Sequence, residues 1–222
     1  MRVNATAKSN PLEALRRFAR PPVEANVEQC DFCSVPLPGH HRHLLEVGTR
    51  KIICACDACS LRFDNVVGRF KLIPRDARRL PDFRLSDAQW ESFSLPIALA
   101  FFYRDSAADK VIALYPSPAG ATESLLPISS WKSVVSENPI LGEMQPDVEA
   151  LLANRLDDRR EYYLAPIDTC FELVGLIRVH WRGFSGGDKV WSEIEQFFVR
   201  LQDAALTIEG PLGQMVTEGV HA

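Results

Sequence analysis

The sequence predicts an α+β protein made of a small N-terminal module and a larger domain. Two observations carry this prediction. Five of the six cysteines fall within 30 residues of one another near the N-terminus, whereas the second half of the chain mixes apolar segments of helix and strand character. The predicted strands outnumber those of a strict β–α–β alternation, which favours a mixed or antiparallel sheet covered by helices.

The N-terminal cysteines form two C-x-x-C pairs separated by 22 residues. Cys30 and Cys33 make the first pair, and Cys56 and Cys59 make the second. Each tight turn directs two sulfurs at one ion, and a folded-back insert lets the second pair complete a tetrahedron. We therefore predict that these four cysteines bind zinc. Iron is the alternative, because four sulfurs accept either metal.

The insert between the pairs supports this geometry. Segment 36–39 is rich in proline and glycine and predicts a turn, while 43–47 and 50–55 have strand character around the turn at Gly48 and Thr49. The order of cysteine turn, hairpin and cysteine turn is the plan of a zinc ribbon. The predicted N-terminal module is thus zinc-ribbon-like and structural. A catalytic zinc is disfavoured, because no general base or substrate carboxylate is evident beside the cluster.

Two further groups lie close to the cysteine pairs. Cys54 precedes Cys56 by two residues, so both would face one side of an extended strand. We interpret Cys54 as a buried free thiol, with two alternatives left open: it replaces one of the four ligands, or it belongs to an iron–sulfur centre. The run 40–43 holds three histidines and is interpreted as a polar turn and strand start, with a role in or beside the metal site left open.

The sequence predicts five segments. They are an N-terminal helix and tail (1–26), the zinc-ribbon-like module (27–64), a basic connector (65–84), an α+β domain (85–206) and a flexible C-terminal tail (207–222).

Within the α+β domain, hydrophobic periodicity predicts both kinds of element. Helices are predicted at 85–91, 130–136, 146–154 and 188–206, and strands at 95–103, 110–115, 161–165 and 171–181. The last helix is the most clearly amphipathic, since Val190, Ile194 and Phe198 recur at intervals of four residues. A short helix is also predicted at 11–19, with Asn10 as its cap.

Charge is distributed unevenly along the chain. Residues 1–84 carry 15 Lys or Arg against 9 Asp or Glu, whereas 85–222 carry 10 against 20. Such asymmetry indicates either a basic binding face or two halves that dock on each other. Aromatic residues are sparse in the basic connector and no recognition helix is evident, so a nucleic-acid partner is disfavoured. No apolar stretch approaches the ~20 residues of a membrane helix, and no secretory signal is visible, so we expect a cytoplasmic protein without membrane insertion.

Two loops are candidate contacts for a partner or ligand. The first, 115–124, contains Ser117, Thr122 and Glu123; the second, 183–187, contains Ser185 and follows Arg182. The second loop matches G-x-S-x-G, but a hydrolase needs an acid and then a histidine later in the chain, and only His221 follows. Cys170 is predicted to be a core residue, not a nucleophile.

Several motifs together resemble one bacterial family of unknown function. They are Cys-Asp-Phe-Cys, His-Arg-His-Leu-Leu, Cys-Ala-Cys-Asp-Ala-Cys, Ala-Leu-Tyr-Pro-Ser-Pro-Ala-Gly-Ala-Thr-Glu-Ser and His-Trp-Arg-Gly-Phe-Ser-Gly-Gly. The match covers residues 30 to about 203. Members of that family resemble proteins encoded alongside NiFe-hydrogenase genes. The resemblance therefore implies a cytoplasmic accessory role, with a hydrogenase subunit or maturation protein as partner.

The leading functional hypothesis is a non-enzymatic metal-binding accessory or assembly factor. Two alternatives remain. One is a rubredoxin-like or iron–sulfur redox protein serving the hydrogenase. The other is a nucleic-acid-binding regulator, whose binding would weaken steeply with salt.

Overall fold

The computed structural model describes residues 27–64, 68–124, 131–209 and 214–215. In these residues the chain forms five α-helices and two sheets, which confirms the predicted α+β class. The helix predicted at 11–19 lies outside the described residues. In the described part of the chain, none of the helices is long and apolar enough to cross a bilayer.

The small sheet has three antiparallel strands in the order β2–β1–β3. Its elements are β1 (Arg42–Glu46), β2 (Lys51–Ala55) and β3 (Phe70–Leu72), with helix α1 (Asp57–Phe63) between β2 and β3. Side chains alternate across a strand, so Leu44, Ile53 and Phe70 share one face and bury a small apolar cluster. The Phe32 and Phe63 rings stack over this cluster at 4.2 Å between centroids.

The large sheet has eight strands in the order β11–β10–β4–β9–β8–β5–β6–β7. Its strands are β4 (Arg78–Arg79), β5 (Leu99–Asp105), β6 (Lys110–Ser117), β7 (Gly120–Glu123), β8 (Glu149–Asn154), β9 (Glu161–Pro166), β10 (Leu206–Glu209) and β11 (Gln214–Met215). All pairings are antiparallel except that of β4 with β10. The sheet is therefore mixed, as the sequence predicts.

Four helices cover the two faces of the large sheet. They are α2 (Asp87–Ser92), α3 (Trp131–Glu137), α4 (Ile167–His180) and α5 (Asp188–Ala204), and short 3₁₀ turns lie at Pro139–Glu143 and Leu156–Asp158. On one face Phe101 and Tyr163 pack against α4 and α5, while on the other Phe102 and Leu151 pack beneath α2 and α3. The sheet thus has an apolar core on each side.

Two predicted elements are wrong. Segment 146–154 was expected to be a helix, but Glu149–Asn154 is strand β8, buried on both faces between β5 and β9. Segment 171–181 was expected to be a strand, but it belongs to helix α4. The buried residues Cys170, Leu173 and Ile177 recur every three or four positions, and this spacing places them on the helix face that covers the sheet.

The basic connector and the start of the predicted tail contribute strands. Within 65–84, β3 joins the small sheet and β4 joins the large one. Residues 206–209 form β10, which pairs with β4. Most of the remaining predicted tail lies outside the described residues.

The two oppositely charged halves of the chain dock on each other. The Arg50 guanidinium pairs with the Asp105 carboxylate, and Lys71 Nζ lies 2.5 Å from Asp147 Oδ2. Leu45 extends from the small sheet into the core beneath α4. The charge asymmetry therefore reflects, at least in these pairs, contacts within the molecule.

Candidate metal centre

The four cysteines of the two C-x-x-C pairs converge at one point. The Sγ atoms of Cys30, Cys33, Cys56 and Cys59 all lie within 4.8 Å of one another, and those of Cys33 and Cys56 are 3.8 Å apart. A tetrahedron with Zn–S bonds of ~2.3 Å has edges of about 3.8 Å. Four sulfurs this close together can bind one metal ion.

The first pair is held by a tight turn. The Ser34 backbone N–H donates to the Cys30 carbonyl at 2.8 Å, and Ser34 has a φ of 60° in the left-handed region. The Cys30 N–H donates to the Val35 carbonyl at 2.9 Å, which closes the loop. This geometry places both sulfurs of the pair on the same side of the turn.

The second pair is held by the start of helix α1. Cys56 is the N-cap residue of that helix, and its Sγ accepts a hydrogen bond from the Cys59 backbone N–H at 3.4 Å. An N-cap side chain normally accepts such a bond through oxygen. Here sulfur takes that place, and the bond helps to orient the Cys56 sulfur.

Two hydrogen bonds connect the first cysteine turn to β2. The Asp31 N–H donates to the Cys54 carbonyl at 2.9 Å, and the Cys54 N–H donates to Asp31 Oδ2 at 2.8 Å. This reciprocal pair fixes the position of the first turn relative to the strand that leads into the second. The convergence of the four sulfurs is therefore supported by the backbone.

The cysteine thiols differ in acidity because their surroundings differ. Burial raises the pKa of Cys30, but hydrogen bonds from the backbone at Cys56, Cys33 and Phe32 outweigh this effect and lower the pKa to about 6. Burial and the neighbouring sulfurs raise the pKa of Cys59 to about 12. Without a metal ion, crowded sulfurs cannot all be thiolates. A bound cation removes that repulsion, and binding it releases protons.

Cys54 lies outside the four-sulfur group. Its Sγ groups instead with ring nitrogens of His41 and His43, and these three ligand atoms also lie within 4.8 Å of one another. Burial raises the pKa of the Cys54 thiol, and the carboxylates of Glu28 and Asp31 add to the rise. The sequence places the histidines close to the cysteine pairs, but it does not indicate that Asp168 contacts them. Asp168 Oδ2 lies 2.7 Å from His43 Nδ1, although the two residues are 125 positions apart in the chain.

The first candidate contact loop is a hairpin end. Strands β6 and β7 are joined by a two-residue turn in which Ser117 Oγ lies 2.9 Å from the Gly120 carbonyl and 3.1 Å from Thr122 Oγ1. Glu123 is exposed and faces Lys110 at 3.7 Å. Ser117 and Thr122 thus hydrogen-bond within the turn, whereas Glu123 stays accessible.

The second candidate contact loop joins α4 to α5 and is held by hydrogen bonds. The Arg182 guanidinium donates to the Val179 and Trp181 carbonyls at 2.9 and 2.8 Å, at the end of α4. The Ser185 carbonyl accepts a hydrogen bond from the Trp191 indole at 3.1 Å. Phe184, between them in sequence, is fully exposed. Arg182 and Ser185 therefore belong to the same loop, between α4 and α5, whereas Ser117 belongs to the other loop, between β6 and β7.

Cys170 is fully buried within α4, and burial raises the pKa of its thiol. It belongs to neither group of candidate metal ligands.

Comparison with protein families identifies the chain. Residues 29–205 match the family of unknown function DUF5947, and the protein belongs to this family. None of the curated proteins and none of the solved structures matches the chain. The matched range includes all four converging cysteines, and this α+β protein therefore carries, within the family region, a cysteine cluster that could bind a metal ion.

Proposed function

We propose that the protein is a non-enzymatic metal-binding accessory factor in which Cys30, Cys33, Cys56 and Cys59 hold one structural zinc ion. The observation that carries this proposal is the convergence of four sulfurs within 4.8 Å of one another. Four protein ligands fill the coordination sphere of zinc and leave no position for a substrate. Such a closed centre stabilises a fold and does not catalyse a reaction.

The limited apolar core of the small sheet supports a stabilising role for this ion. Its buried cluster comprises Leu44, Ile53, Ala55 and Phe70, a small fraction of the apolar side chains buried in the large sheet. Small modules with limited cores commonly depend on a metal for stability. A structural zinc supplies on the order of 10 kcal/mol of folding free energy at such sites.

Iron is the alternative occupant, and metal analysis separates the two. We expect one equivalent of zinc at the four-cysteine centre, without visible absorption, in protein purified anaerobically with no added metal. Stoichiometric iron with charge-transfer bands would overturn the zinc assignment and favour a rubredoxin-like redox function.

Variants assign the metal to particular cysteines. Cys33→Ser should markedly weaken metal binding at this centre, because it removes one of the four sulfur ligands. Cys170→Ser is the matched control, since its thiol is buried in α4. An unchanged metal affinity in Cys33→Ser would contradict the proposed ligand set.

The hydrogen-bonded loop after α4 is the contact surface that we propose for a partner protein. Phe184 is an aromatic side chain fully exposed on a loop whose ends are tied by hydrogen bonds. Aromatic residues on rigid scaffolds are common interface anchors. The resemblance to a family encoded with NiFe-hydrogenase genes makes a hydrogenase subunit or maturation protein the first partner to test.

A binding experiment tests this surface directly. Purified hydrogenase subunits and maturation proteins are captured on the immobilised protein, and Phe184→Ser is compared with Leu61→Ser. Leu61 is an apolar residue of α1 that is also exposed. Loss of capture by Phe184→Ser alone supports the surface. Equal capture by both variants, or no capture by the unchanged protein, contradicts it.

The contacts of the basic connector weigh against a nucleic-acid regulator. Arg69 pairs with Glu46 at 2.7 Å, Lys71 with Asp147, and Arg78 with Glu149 at 3.1 Å. Cations that are already paired within the chain attract a phosphate backbone less strongly.

A further inference from the structure

We propose that His41, His43 and Cys54 form a second transition-metal site, separate from the four-cysteine centre, with Asp168 orienting one of its histidines. Their three ligand atoms lie within 4.8 Å of one another. This set offers two imidazole nitrogens and one sulfur, which suits late first-row divalent ions such as Zn²⁺ and Co²⁺.

The hydrogen bonds of the two histidines fix which ring nitrogens are free. His43 Nδ1 lies 2.7 Å from Asp168 Oδ2, and His41 Nδ1 lies 3.0 Å from the Pro38 carbonyl. Both partners are acceptors, so each Nδ1 carries the proton and donates it. The free lone pair of each neutral ring is therefore on Nε2.

These free nitrogens face each other. His41 Nε2 and His43 Nε2 are 3.1 Å apart, and the two rings meet nearly at right angles, 80° between their planes. Two lone pairs at this distance repel unless a proton or a metal ion lies between them. Two nitrogens bound to one tetrahedral zinc at ~2.0–2.1 Å are about 3.3–3.4 Å apart, close to the observed separation.

The partners of the Nδ1 atoms are those of metal-binding histidines. Such residues usually donate their second ring N–H to a carboxylate or a backbone carbonyl, which fixes ring orientation. His43 uses the Asp168 carboxylate and His41 uses the Pro38 carbonyl. Asp168 is itself held, because its Oδ1 accepts the Thr169 backbone N–H at 2.8 Å. It is a positioning residue for His43.

The strand register places this site on the other face of the small sheet. His43 is directly opposite Cys54 in the β1–β2 pairing, and Leu45 is opposite Ile52 on the same face. Leu45 and Ile52 pack into the core that includes α4. Leu44 and Ile53, on the opposite face, belong to the cluster that Cys59 contacts. The second site thus joins the small sheet to α4.

Three protein ligands leave a fourth tetrahedral position free for water or an exogenous ligand. The second site therefore differs in kind from the closed four-cysteine centre, and it is suited to metal exchange or ligand binding.

Titration with Co²⁺ tests the proposal on the full chain, stripped of metal and kept anaerobic. We expect two Co²⁺ per chain in the unchanged protein. His41→Ala and Cys54→Ser should each bind one, with the intense sulfur-to-cobalt bands of the four-cysteine centre retained. His40→Ala, in the same histidine run but exposed and outside the group, should still bind two.

Two results would overturn the second site. In the first, the unchanged protein and His41→Ala both bind a single Co²⁺. In the second, Cys54→Ser loses the bands of the four-cysteine centre, whereas His41→Ala changes neither the bands nor the number of Co²⁺ bound. Failure of the first centre is recognised separately, since Cys33→Ser should weaken Co²⁺ binding and the sulfur-to-cobalt bands at that centre and leave the second equivalent in place.

Asp168→Asn provides a test that does not remove a ligand. Loss of such an orienting partner weakens metal affinity by roughly 10–100-fold. We expect this weaker affinity only for the Co²⁺ bound by His41, His43 and Cys54. A purely structural Asp168 would leave both Co²⁺ affinities unchanged, and that result would contradict its positioning role.

Discussion

Lys71 and Asp147 form an ion pair that joins the small sheet to the large one, with 2.5 Å between Nζ and Oδ2. The Asp147 side chain is 8% exposed and also accepts hydrogen bonds from the Ser106 backbone N–H and hydroxyl. Lys71 Nζ donates in addition to the Pro146 carbonyl at 3.3 Å. The position of β3 against the domain therefore depends on a carboxylate that is almost completely removed from water.

Replacing Lys71 with Met should destabilise the protein by about 2 kcal/mol. Removing one partner of a buried pair costs about 3–5 kcal/mol, and the cost is lower here because 27% of the Lys71 side chain is exposed and Ser106 still donates to Asp147. Urea unfolding followed by tryptophan fluorescence measures the difference.

Arg104→Met is the control for this measurement. Arg104 forms a 2.7 Å pair with Asp109 in which both side chains are more than half exposed. Exposed pairs contribute less than about 1 kcal/mol. Equal losses in the two variants would show that the Lys71–Asp147 pair has no special role.

The penalty of Lys71→Met should depend on pH. Burial raises the pKa of Asp147, but hydrogen bonds from Lys71 and Ser106 outweigh it and hold the pKa below its usual value. The pair therefore stabilises the fold fully above about pH 4, the range of an unfolded Asp, and this stabilisation is lost as pH falls through the folded pKa. We expect a smaller difference between the two proteins at pH 3 than at pH 7. Both carry the same cysteines, so loss of metal cancels, and a constant difference would contradict the assignment.

The sequence predicts the parts of the site that are local in the chain. Cysteine spacing identifies the four sulfurs that converge, because each C-x-x-C turn is a short-range structure. Asp168 could not be found this way, since it approaches His43 only through the docking of α4 on the small sheet. Likewise, the Ala and Leu residues of β8 favour a helix locally, but burial between β5 and β9 overrides that preference.

Gly186→Ala should destabilise the loop between α4 and α5 by about 2 kcal/mol or more. Gly186 has a φ of +88°, and an added Cβ would lie 2.8 Å from Val190 Cγ1 and 3.2 Å from the Trp181 ring. Both the backbone and the close contact oppose a side chain here. Thermal unfolding measures the loss. Gly175→Ala is the control: nothing lies within 4 Å of its Cβ position inside α4, so alanine should stabilise by roughly 0.5–1 kcal/mol.

Tyr163→Phe should leave the protein as stable or make it more stable by about 1 kcal/mol. The Tyr163 hydroxyl is buried and has no hydrogen-bond partner in the described part of the chain, and burial raises the pKa of Tyr163 to about 12. Removing an unsatisfied polar atom removes its desolvation cost. Tyr163→Ala, which also removes the ring, should instead cost about 3–5 kcal/mol. A loss of more than 1 kcal/mol in Tyr163→Phe, measured by urea unfolding, would mean that the hydroxyl has a partner.

Metal removal should loosen the small sheet before the large one. The small cluster around Leu44 and Ile53 depends on the cysteine turns that the ion holds together, whereas β8 is buried on both faces. Local opening follows the least stabilised region of a structure. Hydrogen exchange should therefore quicken after chelation at 42–55, while 149–154 keeps its protection. The pair of Arg50 with Asp105 contains no metal ligand and should keep the small sheet attached even then. Equal acceleration in both segments would contradict this order and would show that the metal stabilises the whole protein as one cooperative unit.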